Sequence, residues 1–378
     1  MASMQWEFWV LGGLALGAGL VFVVAWRRRS GAAAPGFDAE TGPAPLRAGN
    51  WGRPVVSGQP PAVRPGEAEA LLERLGAGLA RLYDDPVTVA GQECHLFAPR
   101  GRTLPPPVAA AVRQVSGDAT SGSLLTRLSS PHTILAAVAD LVAANPVLAG
   151  NVLKIANSPL YGLRAGIATV EQALAVVGLG NVRALVFAEL LDRAEVPGGP
   201  TRPARGAMWV HMAKTAVLAR RIAPAFPGLD AGVAYTAGLL HDVGKLTLPA
   251  GRIAATPWHP PAENAAYGVH HGLAGFAVCG GFDLPGILSQ AVRLHHAPSW
   301  VEMEDLEAGM ADIRLAVAVG MADALALSLD GCDPGCLLPL HHSYRFLVNE
   351  PTLAEVLADP ALVGELSRAT ALVTVSRS

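Results

Sequence analysis

Charge is scarce in this chain: Asp, Glu, Lys and Arg make up 16% of 378 residues, and the formal net charge is -3. That balance leaves no basic footprint for nucleic acid and no acidic, solvating tail, so direct nucleic-acid binding is not expected. Aromatic residues are also few, at 6%, and runs of β-branched residues are short, which argues against a sheet-built core. The four cysteines, Cys94, Cys279, Cys332 and Cys336, are spread unevenly over a long chain. A disulfide-stapled secreted fold is not built that way, and a reducing compartment fits better. No internal repeat, Rossmann fingerprint or P-loop is present, since the Gly178, Gly180 pair follows a helical pattern instead of a strand. Abundant Ala, Leu and Val favour helices on intrinsic propensity, and an all-α fold is expected.

One long apolar run is there. From Phe8 to Trp26 nineteen residues carry no charge, and at about 1.5 Å per residue they reach about 28 Å, one bilayer core. Trp6, Trp9 and Trp26 stand at its ends, and Arg27, Arg28 and Arg29 follow at once. A cleavable signal peptide would carry its positive charge before the apolar run, so a single spanning helix is expected, with the N-terminus outside and the bulk of the chain cytoplasmic. Gly13 and Gly17 form a small-xxx-small pair that would suit a homodimer contact.

The organisation that follows is an N-terminal stub, membrane helix and Arg anchor over 1–29, then a Pro/Gly/Ala-rich linker over 30–66 with no apolar period. A lead-in segment, 67–103, opens with an amphipathic helix from Glu67 to Asp84 carrying leucines at 71, 72, 75, 79 and 82. The stretch from Pro86 to Ser123 holds strand-like Val87 to Val89 and the break at Pro105, Pro106 and Pro107, and no element is assigned to it. The main helical domain is placed at 104–330, with helices near 131–144, 146–156, 170–177, 181–192, 207–223, 230–243, 271–279, 285–296 and 312–328. Pro146 and Pro285 suit first-turn positions, and Gly178, Gly244 and Gly331 are placed to stop the preceding helices. A tail, 331–378, is expected to hold one or two short helices from near Pro351. Cys332 and Cys336 with His341 and His342 offer zinc donors, but the C-x3-C spacing around Pro334 and Gly335 reads as an ordinary turn.

Seven of the eleven histidines fall between 211 and 296. A lone histidine in an apolar helix is usually a core or capping residue; the ordered set carries more. His211, His241 with Asp242, His271, His295 with His296, and Asp323 are separated by 24 to 30 residues, about one helix and one loop. Successive helices of a bundle would thereby bring ligands to one interior. These donors suit one or two divalent ions, Mn, Fe or Zn, with Asp242 able to bridge two. Lys245, four residues after His241, would be within reach of the same helix face if the helix persists, and could hold a phosphate. His270 should point away from its neighbour, and His259 lies among prolines.

In the order H, HD, H, HH, D the set resembles the HD phosphohydrolase superfamily. Upstream, Asn145-Pro146-Val147-Leu148, Lys154 to Gly162 and Ile167 to Gly178 resemble the extra helical half of the HDOD domain, the HD-related output domain. Trp209-Val210-His211, Leu240 to Lys245, Gly268 to His271 with Gly275, and Leu284-Pro285 leading to His295-His296 extend the likeness over about 104–330. Asn145, Thr169 and His270 depart from the usual Asp, Ser and Asp. The Gly-Tyr-Pro element of cyclic-di-GMP phosphodiesterases is absent, because Ala297, Pro298, Ser299 and Trp300 follow His296. The resemblance implies a regulatory or scaffolding role toward a protein partner in bacterial signalling, which together with the expected spanning helix places the chain at the inner membrane. The occupied ligand positions keep open the alternative of a metal-dependent phosphohydrolase, in which Asp242 and Lys245 would be catalytic.

Overall fold

The computed structural model describes residues 65–83, 94–98, 103–117, 126, 135–144, 146–158, 167–192, 196–249, 260–331 and 340–377. The expected membrane helix, the linker up to 64, Val87 to Val89, Asn145, Tyr161, Gly162, His259, Cys332 and Cys336 lie outside them. Among the described residues no single helix is long and apolar enough to cross a membrane.

The described residues are helical, with no strand among them. In chain order the helices are α1 (Pro65–Leu82), α2 (Cys94–Phe97), α3 (Pro106–Ser116), α4 (Leu135–Ala143), α5 (Pro146–Ala156), α6 (Val170–Val177), α7 (Leu179–Asp192), α8 (Arg202–Ile222) and α9 (Ala231–Leu240). There follow α10 (Pro260–Tyr267), α11 (His271–Gly281), α12 (Gly286–Leu294), α13 (Met310–Leu329), α14 (Glu350–Ala358) and α15 (Ala361–Arg377). Helices α4 to α7 pack on one another, and α8, α9, α11, α12 and α13 form the second half.

Helix ends follow local chemistry. The Thr169 hydroxyl accepts from Gln172 N at 3.3 Å and starts α6, which Gly178 ends at a φ of 84°. Asn157 holds the chain together across ten residues, its side chain donating to Ile167 O at 2.8 Å and accepting from Ile167 N at 2.6 Å. Helix α13 is buried on several sides, from Ile313 through Val317 and Met321 to Leu325, as the central helix of a bundle must be. It runs beside α8, whose Trp209, Met212, Ala216 and Leu218 are buried in the same core. The tail joins this core: Arg221 donates to Glu365 Oε1 at 2.6 Å and to Asp359 Oδ2 at 2.9 Å, which ties α15 to α8.

Several expectations are corrected. Pro105 is the N-cap residue of α3 and Pro106 begins it, so the proline cluster is a helix start; proline loses nothing where the amide hydrogen has no helical partner. The short α2 and α10 were not anticipated, and α15 is longer than a short tail helix. Pro285 is an N-cap residue outside the first turn of α12. Helix α9 ends at Leu240 and α12 at Leu294, so His241, Asp242, His295 and His296 stand in turns just past helix ends. Lys245 therefore does not share a helix face with His241; residues 243–247 form a 3-10 turn. Gly244 lies within that turn and stops no helix. A Cβ there would overlap the His271 carbonyl oxygen and Gly275 N, so the absent side chain lets the turn lie against α11.

Because both neighbours are backbone, Gly244→Ala forces the turn and α11 apart. It is expected to destabilise the fold by about 2–4 kcal/mol in thermal or urea unfolding. Gly280→Ala, on the same helix but with open space around it, should change stability by under about 1 kcal/mol, toward the stabilising side.

Candidate metal centre

The turn after α9 and the turn after α12 use the same local device. Helix C-terminal carbonyls lack intrahelical partners. Gly238 O takes the Nδ1 hydrogen of His241 at 2.7 Å, and Val292 O takes that of His295 at 2.8 Å, each ring folding back three residues. A carbonyl can only accept, so both rings carry a hydrogen on Nδ1, which leaves Nε2 as the atom turned inward. Gly320 of α13 lets the second turn approach, since a Cβ there would overlap His295 O.

These turns meet residues from α8, α11 and α13. His211, His241, Asp242, His271, His295, His296 and Asp323 lie together, and all but His296 are buried. His211 Nε2 is 2.8 Å from Asp323 Oδ1, and His241 Nε2 is 3.5 Å from the same oxygen. Asp242 stands between two groups: Oδ2 lies 3.4 Å from His241 Nε2 and 4.0 Å from His211 Nε2, while Oδ1 lies 3.3 Å from His271 Nε2 and 4.0 Å from His295 Nε2. On the Oδ1 side, His271 Nε2 is 3.2 Å from His295 Nε2 and 3.1 Å from His296 Nε2. The donor atoms of His211, His241 and Asp323, and those of His271, His295 and His296, each lie within 4.8 Å of one another.

The arrangement fits divalent metal. Donors at about 2.1 Å from one ion are spaced about 2.9–3.4 Å from each other, the range that half of these distances occupy. The His295 lone pair faces the Nε2 of His271 in a dry interior, an arrangement that a shared cation relieves. His241 Nε2 and Asp242 Oδ1 are buried and form no hydrogen bond among the described residues.

The helix does not persist to Lys245, which reaches Asp242 Oδ2 at 2.5 Å from the 3-10 turn. His270, as expected, points elsewhere: its Nε2 donates to Leu96 O at 2.9 Å, and its Nδ1 accepts from Gly272 N at 3.2 Å. His341 and His342 stack on each other at 4.2 Å, and His341 pairs with Ser343.

Two carboxylates escaped the sequence reading. Glu263 Oε2 accepts from His271 Nδ1 at 2.6 Å and from His271 N at 2.7 Å. Asp330 Oδ2 is 3.0 Å from His211 Nδ1, and its Oδ1 is paired with Lys214. Asp330 stands seven residues after Asp323, two helical turns along one face, and that spacing could have revealed it. Glu263 has no comparable spacing signal.

The HDOD domain profile matches residues 120–298. This segment is an HDOD domain. Among solved structures, the chain is similar to a candidate phosphohydrolase from Shewanella amazonensis SB2B, at 20% identity and a TM-score of 0.49, covering 70% of this chain and 98% of that one. A candidate signal transduction protein from Marinobacter aquaeolei VT8 is similar at 18% identity and TM-score 0.49, covering 84% and 68%. An HDOD domain protein from Geobacter sulfurreducens is similar at 22% and TM-score 0.42, covering 81% and 96%. No curated protein matches the chain.

In the absence of metal, the two sides of this centre differ in charge. Burial opposes a proton on His241, but the Asp242 and Asp323 carboxylates outweigh it and push the imidazole up to about 10. Burial likewise opposes a charge on His211, and the Asp323 and Asp330 bonds raise it nonetheless. On the other side burial, then the neighbouring imidazoles, hold His295 and His296 well below the ordinary histidine range.

These opposed shifts give a bell-shaped dependence for chelator-treated protein. Unfolded histidines titrate near about 6.5. Below that, the unfolded chain protonates His295 and His296 while the fold keeps them neutral, so stability rises with pH. Above it, the fold retains protons on His211 and His241 that the unfolded chain has lost, so stability falls toward about 10. The melting temperature of metal-free protein should therefore peak between about pH 6 and 7, as scanning calorimetry across pH 5–9 would show; a monotonic rise would contradict the charge assignment.

Proposed function

We propose that this chain is a bacterial signalling protein anchored in the inner membrane by Phe8 to Trp26, whose HDOD domain holds divalent metal and serves a protein partner as a non-catalytic output module. The observation that carries the reading is depth: ligands from α8, α11, α13 and the turns after α9 and α12 meet where Asp242 and His271 are almost wholly buried. Metal held there ties five separate segments, and its affinity for the folded state adds directly to stability. His211, His241 and Asp323 would hold one ion, His271, His295 and His296 a second, with one oxygen of Asp242 turned to each group. When bound, such ions supply Lewis acidity and lower the pKa of coordinated water.

A second reading, metal-dependent phosphohydrolysis, is favoured by one feature. Lys245 and His296 are the partly exposed members of the centre, and Lys245 is held against Asp242, where an ammonium could pair with an incoming phosphate.

Full-length protein, purified in detergent, is expected to carry about two equivalents of Mn, Fe or Zn. Chelation is expected to lower the melting temperature by about 10 °C, the scale of an ion bound well above its dissociation constant. His241→Ala should lose metal. Neither p-nitrophenyl phosphate nor bis(p-nitrophenyl) phosphate should turn over above background. Turnover that Asp242→Asn abolishes would replace the output-module reading with the phosphohydrolase.

A further inference from the structure

Four imidazoles of the centre have an Nδ1 partner, and they are not backed alike. His241 and His295 donate from Nδ1 to backbone carbonyls, Gly238 O and Val292 O. His271 and His211 have carboxylates behind them instead, Glu263 at 2.6 Å and Asp330 at 3.0 Å. Each group of ligands facing one oxygen of Asp242 therefore contains one carbonyl-backed and one carboxylate-backed imidazole. A carboxylate behind the ring fixes its tautomer and makes it a stronger electron donor than a carbonyl does.

The setting of Glu263 says more. The residue is 1% exposed, and its Oε1 forms no hydrogen bond among the described residues. A buried carboxylate with an idle oxygen is a costly way to fill space. A glutamine would make the same bond from His271 Nδ1 without the charge, so the charge is the feature that needs explaining. Asp330 differs in degree: its side chain is 19% exposed and is shared with Lys214.

We propose that Glu263 and Asp330 are positioning residues that divide the centre between them, Glu263 strengthening the ion held by His271, His295 and His296, and Asp330 the ion held by His211, His241 and Asp323. The proposal rests on the metal-holding reading above. It assigns the two ions separate controls, so that each can be weakened alone.

The test is equilibrium dialysis of the full-length protein in detergent against Mn2+ alone, with elemental analysis, and visible absorption after loading with Co2+. Wild type should retain about two equivalents. Glu263→Gln should weaken one of them by about 10- to 100-fold, the usual cost of losing an outer carboxylate. Adding His296→Ala to that variant should weaken the same ion further and leave the other at wild-type affinity, whereas adding Asp323→Asn should weaken the other ion as well. Asp330→Asn should weaken the other ion by under about tenfold, because Lys214 and solvent already share its charge.

A Glu263→Gln protein that keeps both ions at wild-type affinity, or loses both together, overturns the division. So does a drop in the melting temperature of metal-free Glu263→Gln as large as that of the loaded protein, since a merely structural residue would move both. If Glu263→Gln fails to fold, Glu263→Asp serves in its place, withdrawing the charge by one methylene. It should weaken the same single ion, and unchanged uptake there also overturns the proposal. Wild type that takes up no metal at all would overturn the metal-holding reading, an outcome the wild-type arm reveals by itself.

Discussion

The carboxylate of Asp242 sets the terms for everything around it. It is 1% exposed and carries a charge, because the cationic side chains of His241 and Lys245 and the neighbouring His271 outweigh the desolvation that would otherwise neutralise it. An isolated anion at that depth would be prohibitive. Its two oxygens face different imidazole groups, so the positive charge it demands can be met from either side. Lys245 meets part of the demand from the 3-10 turn, and protons on His211 and His241 meet more when no metal is bound. Metal and proton therefore compete for the same lone pairs, and metal affinity must fall as pH falls.

The fold holds these groups in place through backbone contacts more than through side-chain packing. Two helices end one residue before a ligand histidine, and in each the last turn offers a carbonyl that the ring itself satisfies. That exchange removes an unsatisfied helix end and fixes a tautomer in one bond. Gly244 and Gly320 then allow the two turns to lie against α11 and α13 at distances that no side chain permits. Close approach of backbones leaves little room for the ligand atoms to drift, which is what a site built at tenths of an ångström requires.

Much of this was legible in the residue order. The ligand spacings and the resemblance they support place every member of the centre, because helices in a bundle repeat at the interval of one helix and one loop. The helical pattern of α5, α6, α8 and α13 was equally plain from apolar spacing. What could not be read depends on partners distant in sequence. Gly244 looks like a helix stop until α11 is seen beside it, and Glu263 looks like a surface acid until His271 turns its Nδ1 toward it. Lys245 shares a helix face with His241 only if the helix persists to it, and residue spacing alone does not show that α9 yields to a tighter turn at Asp242. The prolines before α3 were read as a break because proline marks both ends of order, and only the helix that follows shows which.

Charge balance links the centre to the two functional readings. The carboxylates of Asp242, Asp323, Glu263 and Asp330 are opposed by the ammonium groups of Lys245 and Lys214, which leaves two negative charges to be met. Protons on His211 and His241 meet them in metal-free protein, and one divalent ion would meet them once those protons leave. A centre with one ion is thus neutral. A second ion would leave the interior two charges positive, and a buried surplus of that size must draw in an anion. Hydroxide, carboxylate or phosphate would enter where His296 and Lys245 are partly exposed. With both groups occupied, whether that anion is a resident hydroxide or carboxylate or an exchangeable phosphate ester is therefore the physical variable that separates a clamp from a catalytic site.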